Sequence, residues 1–127
     1  MARVILAVED EARNQALIQA VFTGGEYEVA IVPTVAAARI WLAERLPDLV
    51  LLDLRLPDEP GVVLARELRA RTETRLTPIL AVTASVLEGD RRAALDAGCD
   101  GFVEKPISPR DLLTKVRARF EGRPSDA

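Results

Sequence analysis

Five times along a chain of 127 residues, a short apolar run gives way to a stretch with helical spacing. That alternation leaves few architectures open. A strand followed by a helix and then another strand, with connections of two to six residues, packs as a parallel sheet with helices on both faces. The apolar runs are Arg3–Val8, Tyr27–Val32, a run from Leu49 to Asp53 that Pro57 stops, Pro78–Thr83 and Asp100–Glu104. Leu49-Val50-Leu51-Leu52 is wholly apolar, which suits a strand buried on both sides.

Helical spacing lies between these runs. Glu11 to Phe22 carries Leu17 and Val21, and Ile18 and Phe22, four residues apart, and Gly24-Gly25 closes it. Thr34 to Leu46 carries Val35, Ala38, Trp41 and Leu42 behind a Thr34 cap. A third helix starts at Pro60-Gly61, carries Leu64 and Leu68, and ends near Arg71. Leu87 to Ala97 is stopped by Gly98; its face is mostly Ala, so it is expected to pack least firmly. Ser108-Pro109-Arg110-Asp111 is a strong helix start, with a hydroxyl cap, Pro at the first position and an acid three residues after the cap. Leu112, Leu113, Val116 and Phe120 form the buried stripe of that last helix.

Composition narrows the chemistry. The chain has no His, which removes His-based nucleophilic catalysis, His-ligated metals and phosphohistidine chemistry on this chain. The single Cys, Cys99, excludes an internal disulfide and fits a reducing compartment. Net charge is −3 with no basic block, so direct nucleic-acid binding is not expected. No run of membrane length and no signal peptide is present, and a cytoplasmic location is expected. Arg outnumbers Lys 15 to 2, so Lys105 and Lys115 are each expected to have a local reason.

In parallel sheets of this kind ligands bind beyond the carboxyl ends of the strands, where strand order reverses. Those ends carry Glu9 and Asp10, Asp53, Thr83 and Ala84, and Glu104 and Lys105. Each has an ordinary alternative: a charged helix start, a loop cap, a strand residue, a solvated lysine. Converging carboxylates, however, repel one another unless a cation sits among them. Oxygen ligands without His or Cys favour Mg²⁺, which takes one or two carboxylates and a phosphate oxygen. A lysine and a hydroxyl beside it would complete a clamp on a phosphoryl group, with an Asp53 oxygen as the attacking atom.

These residues, in this order, carry a resemblance to a known family. Val8-Glu9-Asp10, Asp53-x-x-x-Pro57-x-x-x-Gly61, Leu80-Ala81-Val82-Thr83-Ala84, Ala97-Gly98-Cys99-Asp100-Gly101-Phe102 and Lys105-Pro106 together resemble the receiver domain of two-component response regulators, from about Ala2 to Phe120. The resemblance implies an α/β fold, a flavodoxin-like doubly wound sheet of five parallel strands in the order 2-1-3-4-5, a topology for which a member of the family is the standing example. It implies Asp53 as phosphoacceptor, and a Mg²⁺ site of Glu9, Asp10, Asp53 and the backbone carbonyl of Arg55. Thr83 and Lys105 would bind phosphoryl oxygens, Thr83 and Phe102 would form the switch, and the Lys105-Pro106 peptide would be cis.

Some positions depart from the common pattern. Glu9 stands where many members have Asp and is one methylene longer. Phe102 lacks the hydroxyl of the commoner Tyr. Glu59-Pro60 precede Gly61 where an apolar-Asp pair is frequent, which stiffens that loop. Arg55 and Ser85 occupy positions that in the family tune phosphoaspartate lifetime.

The function expected is a phosphorylation-driven switch of protein–protein contacts, catalysing only its own phosphorylation and dephosphorylation. The alternative is a receiver-fold interaction module no longer regulated by phosphorylation. An Asp-nucleophile phosphohydrolase is disfavoured because Asp53-x-Arg55 stands where Asp-x-Asp would be needed. With no His on the chain, the phosphoryl group must come from a sensor histidine kinase, a phosphotransfer protein or a small phosphodonor. The resemblance implies that the donor docks on the first helix and the loop after the fifth strand, a surface that would include Asn14, Gln15, Ile18, Pro106 and Ile107, with a core position as the equal alternative for Ile18. Arg91, Arg92, Phe102 and Lys115 are the candidates for the output face, although a solvated surface is the simpler reading of the two arginines. A downstream protein target and a monomer or weak dimer are expected, with no membrane partner. The domain is assigned to residues 1–121 and a polar tail to 122–127; a stand-alone receiver is slightly favoured over one cut from a longer regulator.

Overall fold

A computed structural model describes residues 2–84 and 87–122. Five strands and five helices alternate: β1 (Arg3–Val8), α1 (Ala12–Phe22), β2 (Tyr27–Val32), α2 (Val35–Leu42), β3 (Leu49–Asp53), α3 (Gly61–Ala70), β4 (Ile79–Thr83), α4 (Glu88–Ala97), β5 (Gly101–Glu104) and α5 (Pro109–Phe120). All neighbouring strands are parallel, in the order β2-β1-β3-β4-β5. The expected doubly wound sheet is therefore present.

The sheet separates two cores, as period-two alternation requires. One face carries Leu6, Val8, Val50, Leu52, Ile79 and Ala81 against α2, α3 and α4. The other carries Ile5, Ala7, Leu49, Leu51, Leu80 and Val82 against α1 and α5. Every residue of β3 is buried, so its strand is held from both sides. Each fully buried Leu or Ile contributes roughly 2 kcal/mol, which makes β3 a stiff mount for whatever follows it.

Helix ends follow the expected caps, with two differences. Thr34 Oγ1 accepts from Ala37 N at 2.9 Å, and Ser108 Oγ accepts from Asp111 N at 3.3 Å. Gly98 ends α4 with φ +111°, in the left-handed region where a side chain is strained. Helix α2, expected to reach Leu46, stops at Leu42 with Ala43 as its cap, and Leu46 is exposed. At that end Arg71 Nη1, from just beyond α3, donates to the Leu42 carbonyl at 2.9 Å and satisfies one of the orphan acceptors of the helix. Helix α1 ends at Phe22, and Thr23 rather than Gly24 is its cap. Helix α4 buries only Ala94 and Ala97, in keeping with its Ala-rich face. Ser85 and residues 123–127, including most of the polar tail, lie outside the described residues.

Candidate phosphoacceptor site

Strand register brings the candidate residues to one edge. Val8 pairs with Leu52, Asp53 with Val82, and Thr83 with Glu104. Glu9 and Asp10 follow β1, Asp53 closes β3, Thr83 closes β4 and Lys105 follows β5. The order reversal lies between β1 and β3, so the Glu9–Asp10 and Asp53 ends flank the switch point.

Asp53 is 2% exposed, and both its oxygens are engaged. Arg55 N donates to Oδ1 at 2.9 Å, and Lys105 Nζ donates to Oδ2 at 2.7 Å. Lys105 Nζ also lies 3.8 Å from Glu9 Oε1. Carboxylate oxygens of Glu9, Asp10 and Asp53 all lie within 4.8 Å of one another, with Asp10 exposed and the other two buried. Thr83 is nearly buried and lines a cavity of about 200 Å³ with Leu54, Arg55, Val62, Asp90 and Ala93. A larger cavity, about 290 Å³, lies at the opposite end of the strands against Arg3, Tyr27 and Phe120 and touches none of these residues.

Electrostatics follow from this packing. Burial raises the Glu9 carboxyl above its ordinary range; the Glu11 amide opposes that shift, the Asp53 charge adds to it and the Lys105 charge opposes it, leaving it raised. Burial would lower the Lys105 ammonium, but its hydrogen bond to Asp53 and the charges of Asp53, Glu9 and Glu11 outweigh burial and hold it raised.

The loop from Asp53 to α3 is shaped by two features. Gly61 approaches the main chain so closely that an added Cβ would lie 2.2 Å from the Asp53 carbonyl oxygen. Asp58 reaches back to α2, accepting from Val35 N at 3.1 Å and Ala36 N at 3.0 Å, while Glu59 pairs with Arg39. Glu59 ties the loop to α2, and Pro60 stands at the N-cap position of α3. The Lys105-Pro106 peptide is cis, as expected.

Several expectations need correction. Ile18 is 1% exposed and Ile107 7%, so both belong to the core and neither presents a surface to a partner. Asn14 and Gln15 are half-buried, and their amides point to Glu9. Glu104 lies at a strand end but pairs with Arg91, away from the carboxylate cluster. Arg91 is not simply solvated: its guanidinium sits 4.8 Å over the Phe102 ring, and Phe102 is 4% exposed. Lys115 donates to the Phe102 carbonyl at 2.7 Å and pairs with Asp111, so both lysines have the local reason their scarcity suggested. Arg92 is exposed.

This edge has the fold and the acidic cleft of a receiver domain. The sequence profile of the response regulator receiver domain matches residues 5–117. The chain is 40% identical over 114 residues to the phosphate regulon transcriptional regulatory protein PhoB of Rhizobium meliloti, covering 90% of this chain and 50% of that protein. It is 38% identical over 117 residues to the TorCAD operon transcriptional regulatory protein TorR of Escherichia coli K12, covering 92% of this chain and 50% of TorR. The chain spans about half the length of the curated relatives it matches. The receiver domain of sensor histidine kinase PA1611 of Pseudomonas aeruginosa PAO1, solved with a magnesium ion in its active-site cleft, superposes with a TM-score of 0.84 at 34% identity, covering 96% of this chain and 99% of that one. The chain belongs to the response regulator receiver domain family, whose members carry phosphorylation-dependent signals in two-component systems. Among the described residues no helix is long and apolar enough to cross a membrane.

Proposed function

We propose that Asp53 accepts a phosphoryl group from a histidine kinase or phosphotransfer protein and that the acyl phosphate switches contacts with a downstream protein. The observation that carries this reading is the contact between Lys105 Nζ and Asp53 Oδ2 at 2.7 Å, beside two further carboxylates. An Asp53 oxygen attacks phosphorus in line; the new O–P bond forms as the bond to the donor atom breaks, and the donor leaves with that electron pair. Lys105 and the Thr83 hydroxyl then receive the transferred oxygens, so charge that develops on the phosphoryl group meets fixed donors.

The donor set fits a hard divalent cation. Its side-chain donors are carboxylate oxygens clustered within 4.8 Å, and converging carboxylates are stabilised by a cation among them. Glu9, Asp10, Asp53 and the Arg55 carbonyl are the residues that would hold Mg²⁺. When bound, Mg²⁺ would offset the negative charge of the carboxylates and of the incoming phosphoryl oxygens. Asp53 is held through Arg55 N and Lys105, which orients its oxygens before a donor arrives.

Phe102 and Thr83 are proposed as the switch pair, with Arg91 held between Phe102 and Glu104 as the element that senses the ring position. The protein is proposed to act as a monomer or weak dimer, with residues 1–121 as the receiver and 122–127 as a tail. The intact pairing of Asp53 and Lys105 speaks against the unregulated interaction module.

Incubation with a small phosphodonor and Mg²⁺, read by intact mass, tests this. Wild-type protein should gain one phosphoryl group, and Asp53→Asn should gain none. A wild-type protein that takes up no phosphoryl group overturns the reading.

A further inference from the structure

Glu9 is longer than the aspartate common at its position, and its carboxylate would have several rotamers if left alone. It has one. Its main chain is fixed by Glu9 N donating to the Val32 carbonyl at 2.9 Å. Its Oε2 accepts from Glu11 N at 3.0 Å, and its Oε1 accepts from Asn14 Nδ2 at 3.4 Å. Its carbonyl oxygen accepts from Gln15 Nε2 at 2.6 Å. Asn14 and Gln15 sit in the first turns of α1, and Gln15 N closes a helical bond to the Glu11 carbonyl at 2.9 Å. Glu11, the N-cap of that helix, makes no side-chain capping bond. The start of α1 is instead locked through Glu9, so the helix and the ligand hold each other.

We propose that Asn14 and Gln15 are positioning residues that set Glu9 for metal binding, Asn14 through the carboxylate and Gln15 through the main chain. The inference rests on the Mg²⁺ reading above and adds to it two residues that touch neither the metal nor the phosphoryl group. Partners of metal ligands fix ligand orientation, and losing one typically weakens metal binding about 10- to 100-fold. Asn14 does what a glutamate at position 9 specifically needs. An aspartate there would withdraw the carboxylate by about 1.5 Å, one C–C bond, out of reach of the Asn14 amide. Gln15 grips the backbone and would serve either residue.

Mg²⁺ and Ca²⁺ titrations of the whole chain by calorimetry test this, in a two-by-two set with Glu9→Asp. Asn14→Ala should weaken Mg²⁺ binding about tenfold and Ca²⁺ binding less, because a looser site discriminates less between the two ions. In the Glu9→Asp background the same substitution should change Mg²⁺ affinity less than twofold. Gln15→Leu should weaken binding in both backgrounds. A role confined to the stability of α1 would instead give equal losses for Asn14→Ala in both backgrounds, and that result overturns the inference, as does wild-type affinity in Asn14→Ala. Absence of Mg²⁺ binding by the unsubstituted protein removes the metal reading and this inference together. Mg²⁺ binding without phosphoryl uptake would remove the proposed phosphoacceptor function and leave the positioning role standing.

Discussion

Lys105 Nζ and Asp53 Oδ2 are 2.7 Å apart across 52 residues of sequence, joining the end of β5 to the end of β3. The contact offsets a carboxylate that is only 2% exposed, and it leaves Lys105 close enough to Glu9 to serve two acids. Lys105→Ala strips the cation from two buried carboxylates and from the incoming phosphoryl group. The rate of phosphoryl uptake, followed by intact mass, should fall about 100-fold or more. Lys105→Arg should not restore it, because a forked guanidinium cannot replace a compact point charge. Near-normal uptake in either variant would refute the role given to Lys105.

Gly61→Ala places a methyl group 2.2 Å from the Asp53 carbonyl oxygen, a backbone atom that cannot swing aside. The loop has to shift. Urea unfolding should show a loss of about 1–3 kcal/mol, and phosphoryl uptake should slow with it. An unchanged midpoint would mean that the close approach is not obligatory.

Asp58 caps α2 from the acceptor loop. Hydrogen bonding to Ala36 N, then to Val35 N, holds its carboxyl below the usual range. A depressed folded value means a stabilising contribution that is present above the ordinary carboxylate range and is lost as pH falls through the depressed value. Asp58→Ala should lower the thermal midpoint at neutral pH. Below about pH 4 the wild-type midpoint should fall toward that of the variant. Two melting curves that stay equally far apart down to pH 2 would contradict the assignment.

Burial, helped by the Asp100 charge and opposed by Arg69, pushes the Cys99 thiol from an ordinary 9.0 up to about 11. The folded state therefore keeps the thiol protonated where the unfolded chain would lose its proton, and this group destabilises the fold as pH rises from about 9 toward 11. An aromatic disulfide reagent at pH 8 should label Cys99 slowly in the native protein and fast in urea. Rapid native labelling would show that the thiol is reached from the surface.

Arg69 gathers the loop between α3 and β4 and the end of α4. It donates to the carbonyls of Gly98 at 3.0 Å and Thr77 at 2.7 Å, and to Asp100 Oδ2 at 2.8 Å, while Asp100 also accepts from Ile79 N. Lysine has one ammonium and cannot reach all three directions. Arg69→Lys should lower stability by about 1–3 kcal/mol in urea unfolding, well beyond what a solvated arginine would show. A loss under about 0.5 kcal/mol would mean that water replaces these bonds.

The order of the elements was legible along the chain because it depends on local spacing. Period-two runs, helical repeats, the Thr34 and Ser108 caps and Gly98 are all local signals. So was the roster at the carboxyl ends of the strands, since a parallel sheet sends every strand end to one edge. The end of α2 was not legible, because the contact that satisfies its Leu42 carbonyl comes from Arg71, 29 residues away at the end of α3. Neither was the burial of Ile18, since a periodic apolar residue reads the same whether it faces the sheet or a partner.

The sequence by itself placed Glu9, Asp10, Asp53, Thr83 and Lys105 at the carboxyl ends of the strands, because parallel strands send those ends to one edge of the sheet. Only the tertiary structure decided how they are held. Asn14 and Gln15 on Glu9, Asp58 on the start of α2, and Arg91 over Phe102 depend on which rotamer points at which neighbour. Most of these contacts join separate elements, and the clamp on Glu9 turns on side-chain direction more than on spacing. Local periodicity carries no record of either, since both are settled only when the packed faces meet.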